Sequence, residues 1–273
     1  MPDHTDGSRA TTVRVTYYDT AMALVEIGGL RLLTDPVLDA AGTYVNGPLR
    51  LDKTSSPAVT REALGRIDAV LLSHDQHADN LDPAGRAFLA TVPRVLTTPE
   101  GAERLAGELK GVAVVGLAPW ETTTITGADG FALTVTGVPA RHGPAGTEEM
   151  TGPVTGFLLS WPGVEGYGVY VSGDTVPFEG TEEVARRAAP VGLALLNLGR
   201  VQMEPGGPHF SMTAEEAGAL AQALQARHVA PVHVEGWAHF SEGREAATAV
   251  LAGSPVAERV MWLRPGASHD FAL

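Results

Sequence analysis

Short apolar runs bounded by Gly, Pro or polar residues recur along the chain, and such runs are typical of buried strands. The first three lie at residues 13–18, 21–27 and 30–34, and Gly28-Gly29 between the last two indicates a hairpin. The same pattern predicts strands at residues 68–72, 94–97, 112–115, 121–126, 131–138, 154–161, 168–172, 193–198, 228–233 and 259–263. Helices are predicted at residues 60–66, 83–91, 100–109, 181–189, 213–226 and 242–252.

The order of these elements predicts the architecture. Each half of the chain has β-rich segments followed by alternating helices and strands, which indicates two sheets packed face to face with helices outside. We therefore expect one α/β domain over residues 13–273, after a disordered tail at residues 1–12. Residues 40–60 are rich in Gly, Pro, Ser and Thr and predict a long loop, either functional or a passive surface excursion.

Composition and charge narrow the possible functions. The formal net charge of −13 argues against a nucleic-acid partner, because phosphate contacts need a surplus of Lys and Arg. No apolar run approaches the ~20 residues of a membrane span, and the polar N-terminus lacks the apolar core of a signal peptide. We therefore expect a cytoplasmic protein with a small-molecule substrate. The chain has no cysteine, so a metal site must use His, Asp, Glu or water.

The segment DAVLLSHDQHADNLD, residues 68–82, is the richest in candidate chemistry. Its apolar strand ends in His74, Asp75, His77, Asp79 and Asn80. Side chains two residues apart in an extended segment share a face, so His77 can converge with Asp79 or with Asp75. Neutral imidazole combined with carboxylate suits zinc, iron or manganese. The alternative interpretation is a polar turn that happens to be rich in His and Asp.

Four other predicted strands also run into residues that can bind metals or move protons. They lead to His142, Asp174, His209, and His233 with the nearby His239. Open α/β folds place their sites beyond strand ends, so five such ends together indicate one site. Taken singly, each has a structural alternative: a capping histidine, an Asx-turn at Asp174, or a core or rim position for His239.

The motifs GGLRLLTDPVLD, IDAVLLSHDQHADNLD, VPARHG, YVSGDT, SMTAEEA and APVH, in this order, resemble the metallo-β-lactamase superfamily, in its branch of lactonase-like and phospholipase-D-like hydrolases. The resemblance covers residues from about 13 to about 265. It implies an αββα sandwich of two mixed sheets flanked by helices, with one or two divalent metals at one edge. That architecture agrees with the one predicted from the order of elements.

The family's first metal motif is His-x-His-x-Asp-His, and the resemblance matches its last four positions to residues 77–80. The first position then falls on Asp75, or on His74 if the turn carries one extra residue. Asn80 replaces the usual second-metal histidine, so the site holds one metal, two with unequal affinity, or recruits His74 or His239. The resemblance further assigns His142 to the first metal, Asp174 to a bridge, His233 to the second metal and Asp35 to a supporting role.

These assignments imply a metal-dependent hydrolase that uses a metal-bound hydroxide on a small ester, lactone or phosphodiester. Zinc is the expected metal, with manganese or iron as alternatives. Asp79 would orient the water while ligating, and His209 or His239 would protonate the leaving group. The sequence has no GxSxG motif that would supply a serine nucleophile. The alternatives are a non-catalytic metal- or ligand-binding relative and a di-iron redox enzyme.

Overall fold

The computed structural model describes residues 12–46 and 49–273. The predicted disordered tail lies outside the described residues, apart from Thr12, where the first strand begins. The strands are β1 Thr12–Asp19, β2 Met22–Ile27, β3 Leu30–Thr34, β4 Gly42–Asn46, β5 Leu49–Lys53, β6 Ala69–Leu71, β7 Arg94–Thr97, β8 Ala113–Gly116, β9 Thr122–Thr126, β10 Ala132–Pro139, β11 Thr155–Ser160, β12 Tyr167–Val171, β13 Val191–Asn197, β14 His228–Val232 and β15 Ser268–Ala272. The helices are α1 Pro83–Leu89, α2 Pro99–Glu108, α3 Glu148–Thr151, α4 Glu179–Ala188, α5 Ala214–Ala223 and α6 Arg244–Ala252.

Most of these strands form two mixed sheets. The first has the order β15-β1-β2-β3-β6-β7-β8, and the second has the order β14-β13-β12-β11-β10-β9. Strands β3, β6, β7 and β8 run parallel in the first sheet, as do β12, β13 and β14 in the second. The remaining pairs within both sheets are antiparallel. The short pair β4–β5 forms a separate antiparallel hairpin.

The alternation of side chains along the strands explains why the sheets are covered on both faces. In β6, Ala69 and Leu71 belong to the core between the sheets, whereas Val70 faces the helices of the first sheet. Strands that bury both faces read as continuous apolar runs, as residues 69–72 do. Helices α1 and α2 pack on the first sheet, and α4, α5 and α6 pack on the second, which gives the layers helix, sheet, sheet and helix. The predicted αββα sandwich is therefore confirmed.

Three predicted elements are wrong. The predicted loop at residues 40–60 contains the hairpin β4–β5. The predicted helix at residues 60–66 is a single turn after Thr60, and it stops at Gly65, whose φ is +65°. The predicted strand at residues 259–263 makes one isolated bridge, between Val229 and Val260, and the last strand is β15. Among the described residues, no helix combines the length and apolar composition needed to cross a bilayer.

The topology gathers several strand ends at one edge of the sandwich. Strands β10, β12 and β14 point the same way within the second sheet, because β10 and β12 are both antiparallel to β11 and β14 runs parallel to β13. The loop after β6 in the first sheet meets this edge where the Thr155 amide donates to the Ser73 carbonyl at 3.0 Å. The predicted site residues that follow these four strands are therefore brought together.

Candidate metal centre

Three imidazoles converge at this edge and form a first group. One ring nitrogen from each of His74, His77 and His142 lies within 4.8 Å of the others. His77 Nδ1 lies 3.1 Å from His74 Nε2 and 2.9 Å from His142 Nε2. Ligands at ~2.0–2.1 Å around a tetrahedral ion would stand roughly 3.3 Å apart, so these three nitrogens nearly have the spacing of a metal-bound set.

Hydrogen bonds on the far side of two of these rings fix which nitrogen faces the group. His142 Nδ1 donates to the Phe210 carbonyl at 2.6 Å. His74 Nδ1 donates to Ser73 Oγ at 2.9 Å, and Ser73 Oγ donates in turn to Asp35 at 2.9 Å. These tautomers, assigned from the partners, leave a lone pair on each Nε2.

Two rings of this group, His74 and His77, are held in the neutral form. Burial and then the neighbouring His77 lower the pKa of His74 well below its ordinary value. Burial and then His142 likewise lower the pKa of His77. Neutral imidazoles are the form that binds metals, so the environment of these rings favours ligation over protonation.

Two carboxylates and one imidazole form a second group. Atoms of Asp79, Asp174 and His233 lie within 4.8 Å of one another. His233 Nε2 lies 3.6 Å from Asp79 Oδ2 and 3.5 Å from Asp174 Oδ2. Asp174 Oδ2 also lies 3.8 Å from His142 Nε2 of the first group. Asp174 therefore stands between the two groups, in the position where a bridging ligand would be.

Hydrogen bonds hold the second group from behind. Asn197 Nδ2 donates to Asp174 Oδ1 at 2.8 Å, which leaves Oδ2 facing the groups. His233 Nδ1 donates to the Leu198 carbonyl at 3.1 Å, which turns Nε2 toward the carboxylates. Asn197 is the last residue of β13 and Leu198 follows it, so the end of one strand orients two of the three candidate ligands.

Unpaired buried atoms provide a test of whether a cation fits here. Asp174 Oδ2, His233 Nε2 and Asn80 Oδ1 are buried, and none has a hydrogen-bond partner among the described residues. Leaving such atoms unpaired in the interior costs on the order of 1–3 kcal/mol each. A divalent ion would satisfy the carboxylate oxygen and the imidazole nitrogen at once, so the residues present fit a metal.

The two carboxylates of the second group carry negative charge that a bound cation would neutralise. Burial opposes ionisation of Asp79, but the imidazoles of His233 and His239 outweigh it and hold the pKa of that carboxyl well below its usual range. Burial lowers the pKa of His233, but Asp174 and Asp79 raise it, to about 9 overall. The two carboxylates thus attract positive charge to this position.

The Asn80 amide is engaged on one side only. Its Nδ2 donates to Asp35 Oδ2 at 3.2 Å, and its buried Oδ1 is left unpaired. Asp35 also accepts the Ser73 amide at 2.7 Å, and burial, partly opposed by the hydrogen bonds from Ser73, raises the pKa of Asp35 to about 7. Asp35 therefore braces the loop that carries the candidate ligands and lies outside both groups.

Asp75 has to be removed from the candidate ligands. Its carboxylate pairs with the guanidinium groups of Arg86 and Arg104, away from both groups. A carboxylate that neutralises two arginines has no open face for a metal. His74 takes the first position instead, and the turn carries one extra residue between it and His77.

The two candidate proton donors differ in position. His209 Nε2 lies 3.1 Å from both carboxylate oxygens of Glu216 at the start of α5, and the ring does not line the cavity over the ligands. His239 does line that cavity, and its Nε2 lies 3.2 Å from Asp79 Oδ2. The structure therefore places His239, and not His209, at the cavity beside the candidate ligands.

A cavity of about 390 Å³ opens over both groups, within the usual size range of small-molecule sites. His77, Asp79 and His142 face it, so candidate ligands form part of its wall. Most of its other walls come from the hairpin, α3 and the segment at residues 201–210, and they include Tyr44, Val45, Leu51, Met150, Thr151, Val201, Met203 and Phe210. None of these wall residues was predicted individually from the sequence. Tyr44, Val45 and Leu51 lie in the segment 40–60, for which a functional loop was one of the two expectations, and the signal for the other apolar residues was an apolar side chain within a loop.

Comparisons with known proteins find similar sequences over most of the chain. The family model described as "Beta-lactamase superfamily domain" matches residues 30–234. A UPF0173 metal-dependent hydrolase of Pyrococcus furiosus is 27% identical over 258 residues, which cover 94% of this chain and 99% of that protein.

Two solved structures show the same fold. The isothiocyanate hydrolase from Delia radicum gut bacteria matches with a TM-score of 0.77 at 20% identity, over 95% of this chain and 99% of that chain. A diiron β-hydroxylase from Streptomyces venezuelae matches with a TM-score of 0.68 at 18% identity, over 96% of this chain and 54% of that chain.

Proposed function

This chain belongs to the beta-lactamase superfamily and is a metal-dependent hydrolase, and on that premise we propose that it uses zinc to hydrolyse a small ester, lactone or phosphodiester. One observation carries the proposal. Three imidazoles and an Asp-Asp-His group meet at one edge, and a cavity whose lining includes His77, Asp79 and His142 lies beside them.

The donor set favours zinc over the alternatives. Three imidazole nitrogens with an open fourth direction are typical of catalytic zinc sites, although iron and manganese also accept mixtures of imidazole and carboxylate. When bound, the ion would supply Lewis acidity that makes a water nucleophilic near neutral pH and polarises the substrate oxygen. His74, His77 and His142 would hold the first ion, and Asp79, Asp174 and His233 would hold the second.

The remaining chemistry falls to groups that face the cavity. In ester hydrolysis, a water oxygen bonds to the acyl carbon, the bond to the alcohol oxygen breaks, and the alcohol leaves with a proton. Asp79 is ionised and faces the cavity, so it can accept a hydrogen bond from the attacking water and orient it. His239 stands beside Asp79 and can deliver the proton to the leaving oxygen.

The test combines metal content with turnover. We expect His142→Ala and Asp174→Asn to lower the zinc content of the purified protein, and to reduce turnover of a panel of esters, lactones and phosphodiesters by at least about a hundredfold. His269→Gln on β15, outside both groups, is the matched control and should change neither quantity. Full turnover in the two ligand variants would refute the proposal.

Two further measurements address the alternatives and the proton donor. A metal-loaded protein that turns over no member of the panel would favour a non-catalytic binding role, and bound iron that cycles between oxidation states would favour a redox role. For the proton donor, His239→Ala should reduce turnover without loss of metal, whereas His209→Ala should leave turnover unchanged.

A further inference from the structure

We propose that the natural substrate is an uncharged acyl compound that carries an apolar chain, rather than a phosphodiester or another anion. This inference rests on the proposed hydrolase function and narrows its substrate class. It comes from the walls of the cavity and not from the candidate ligands, so it can be tested separately from them.

Exposed apolar side chains concentrate at the mouth of this cavity. In the described part of the chain, five large hydrophobic residues are exposed, and three of them, Val45, Met150 and Met203, line the cavity with exposures of 71%, 66% and 49%. They come from three separate segments: the β4–β5 hairpin, α3 and the segment after β13. Apolar surface gathered from separate segments around one opening marks a place where an apolar group binds.

Other large side chains of the lining are also mainly apolar. Tyr44 and Leu51 from the hairpin and Phe210 from the segment after β13 line the cavity together with the ligand histidines. Two polar wall side chains already have protein partners, because Gln76 contacts the Asp75 amide and the Pro153 carbonyl, and Thr151 Oγ1 donates to the Thr147 carbonyl. A substrate chain in this cavity therefore meets few open hydrogen-bonding groups.

Apart from the proposed metal ions, the described residues that line the cavity offer no cationic side chain of Lys or Arg as a partner for an anion. Sites for phosphoryl transfer commonly add Arg or Lys to the metal ions around the phosphoryl oxygens, and the described residues of this lining add neither. The net charge of −13 also repels anions at long range. Arg50 and Arg200 line a neighbouring groove, but Arg50 is already paired with Asp52.

The experiment measures binding of neutral ester analogues that are not turned over. Straight-chain N-methylamides, from the acetamide to the octanamide, are titrated into the protein as purified, and Kd is measured by NMR. We expect Kd to fall by up to about fourfold for each added CH₂ until the cavity is full. An amide of the same length whose chain carries a carboxylate at the end far from the amide group should bind at least about tenfold more weakly, because the apolar walls would have to desolvate an unpaired charge.

Variants at the cavity mouth test whether its exposed methionines cause the dependence of Kd on chain length. Met150→Gln and Met203→Gln should flatten the dependence on chain length, whereas Met261→Gln, at an exposed methionine elsewhere on the surface, should leave it unchanged. A dependence on chain length that is flat in the wild type would overturn the proposal. So would tighter binding of the carboxylate analogue, most directly if Arg200→Gln abolished that preference.

The proposed function and this inference can fail separately. If the wild-type protein bound no metal, or turned over no member of the panel, the proposed hydrolase function would be wrong. The Kd values of the amide series could still be measured and interpreted. A protein that hydrolyses bis(p-nitrophenyl) phosphate more efficiently than p-nitrophenyl hexanoate would be a hydrolase, but the substrate class proposed here would be wrong.

Discussion

Asn80 makes the two groups of candidate ligands chemically unequal. The first group offers three imidazoles, whereas the second offers two carboxylates and a single imidazole. An amide oxygen suits hard cations and is a poor substitute for imidazole toward zinc. The Asn80 amide is, moreover, engaged with Asp35 through its Nδ2. We therefore expect an ion at the first group to bind more tightly than an ion at the second.

An imidazole at position 80 should reduce the difference in affinity between the two ions. Asn80→His adds a nitrogen ligand beside Asp79, so we expect the Kd of the second ion to fall by at least about tenfold. Loss of a hydrogen bond to a metal ligand commonly changes metal affinity by at least this factor, and a direct ligand should have no smaller effect. Chelator competition followed by elemental analysis measures this. Gln222→His on the exposed face of α5 is the control for a histidine that cannot reach the site. An unchanged second dissociation step would contradict the prediction.

At this scale the sequence predicts residue types better than their partners. It identifies His77, His142, Asp174 and His233 as residues at strand ends, and the structure brings all four together. The sequence leaves His74 and Asp75 as alternatives for the first ligand of the motif. One extra residue in a turn changes the direction of every side chain that follows, and the sequence does not show whether the turn has it. The pairing of Asp75 with two arginines depends on helices α1 and α2, and no local pattern reveals it.

The β4–β5 hairpin is the element that shapes the cavity mouth, and a buried lysine fixes it. Lys53 at the end of β5 is fully buried and donates to the Asp39 carbonyl at 2.7 Å. Its ammonium lies 3.2 Å from Asp82 and 3.5 Å from Asp19. Asp82 also caps α1 by accepting the Gly85 amide. One cation thus connects the hairpin to the helix that follows the ligand loop.

Removing the Lys53 cation should lower the free energy of unfolding far more than removing an exposed cation from the same strand. Lys53→Met leaves two buried carboxylates uncompensated, and we expect the free energy of unfolding to fall by about 3–5 kcal/mol. Arg50→Met, which breaks the exposed pair with Asp52, should cost no more than about 1 kcal/mol. Denaturant unfolding of both variants measures the difference. Equal losses would show that Lys53 does not fix the hairpin.

The loop after β13 determines where His233 sits. Gly199 has a φ of +92°, and a Cβ at this position would lie 2.4 Å from the His233 carbonyl oxygen. His233 itself has a φ of +56°, and its amide donates to the Thr20 carbonyl at 2.6 Å. Backbone in this unusual region often occurs at functional sites, where packing holds it in place.

A methyl group at Gly199 should therefore displace a candidate ligand. Gly111→Ala is the matched control, because its φ is +83° with no atom within 4 Å of the added Cβ, so it reports backbone strain alone, roughly 1–2 kcal/mol. Gly199→Ala should cost more than this control and should also weaken binding of the second ion. Equal unfolding energies and equal metal contents for the two variants would refute this prediction.

At the scale of elements, the hydrophobic pattern predicted the strands that are buried and missed the strands that are exposed or polar. Strands such as β3 and β7 bury nearly every residue, and their bounds follow from the sequence alone. The hairpin was missed because its residues are largely exposed, and β15 was missed because its sequence SHDFA is polar and stands at a sheet edge. Both are held by contacts with distant residues, Lys53 with Asp82 for the hairpin and Arg14 with Asp270 for β15, and local patterns do not record such contacts.

At the scale of the whole molecule, the candidate ligands join the two sheets. His74, His77 and Asp79 follow a strand of the first sheet, whereas His142, Asp174 and His233 follow strands of the second. Each group contains residues from both sheets. A bound ion would therefore act as a cross-link at one edge of the sandwich, and its binding free energy would add to the stability of the packed sheets.

Metal removal should accordingly lower the thermal stability of the whole chain. At a free metal concentration about a hundred times Kd, binding to the native state adds ~2.7 kcal/mol, which corresponds to a rise in Tm on the order of 5–10 °C for a chain of this size. We expect the Tm of the zinc-loaded protein to fall by this amount after chelation and to recover when zinc is restored. The double variant His142→Ala with Asp174→Asn should show no response to either treatment, because the cross-link has lost a ligand to each ion. If the wild type and this double variant responded equally to the chelator, the ion would not join the sheets at this edge.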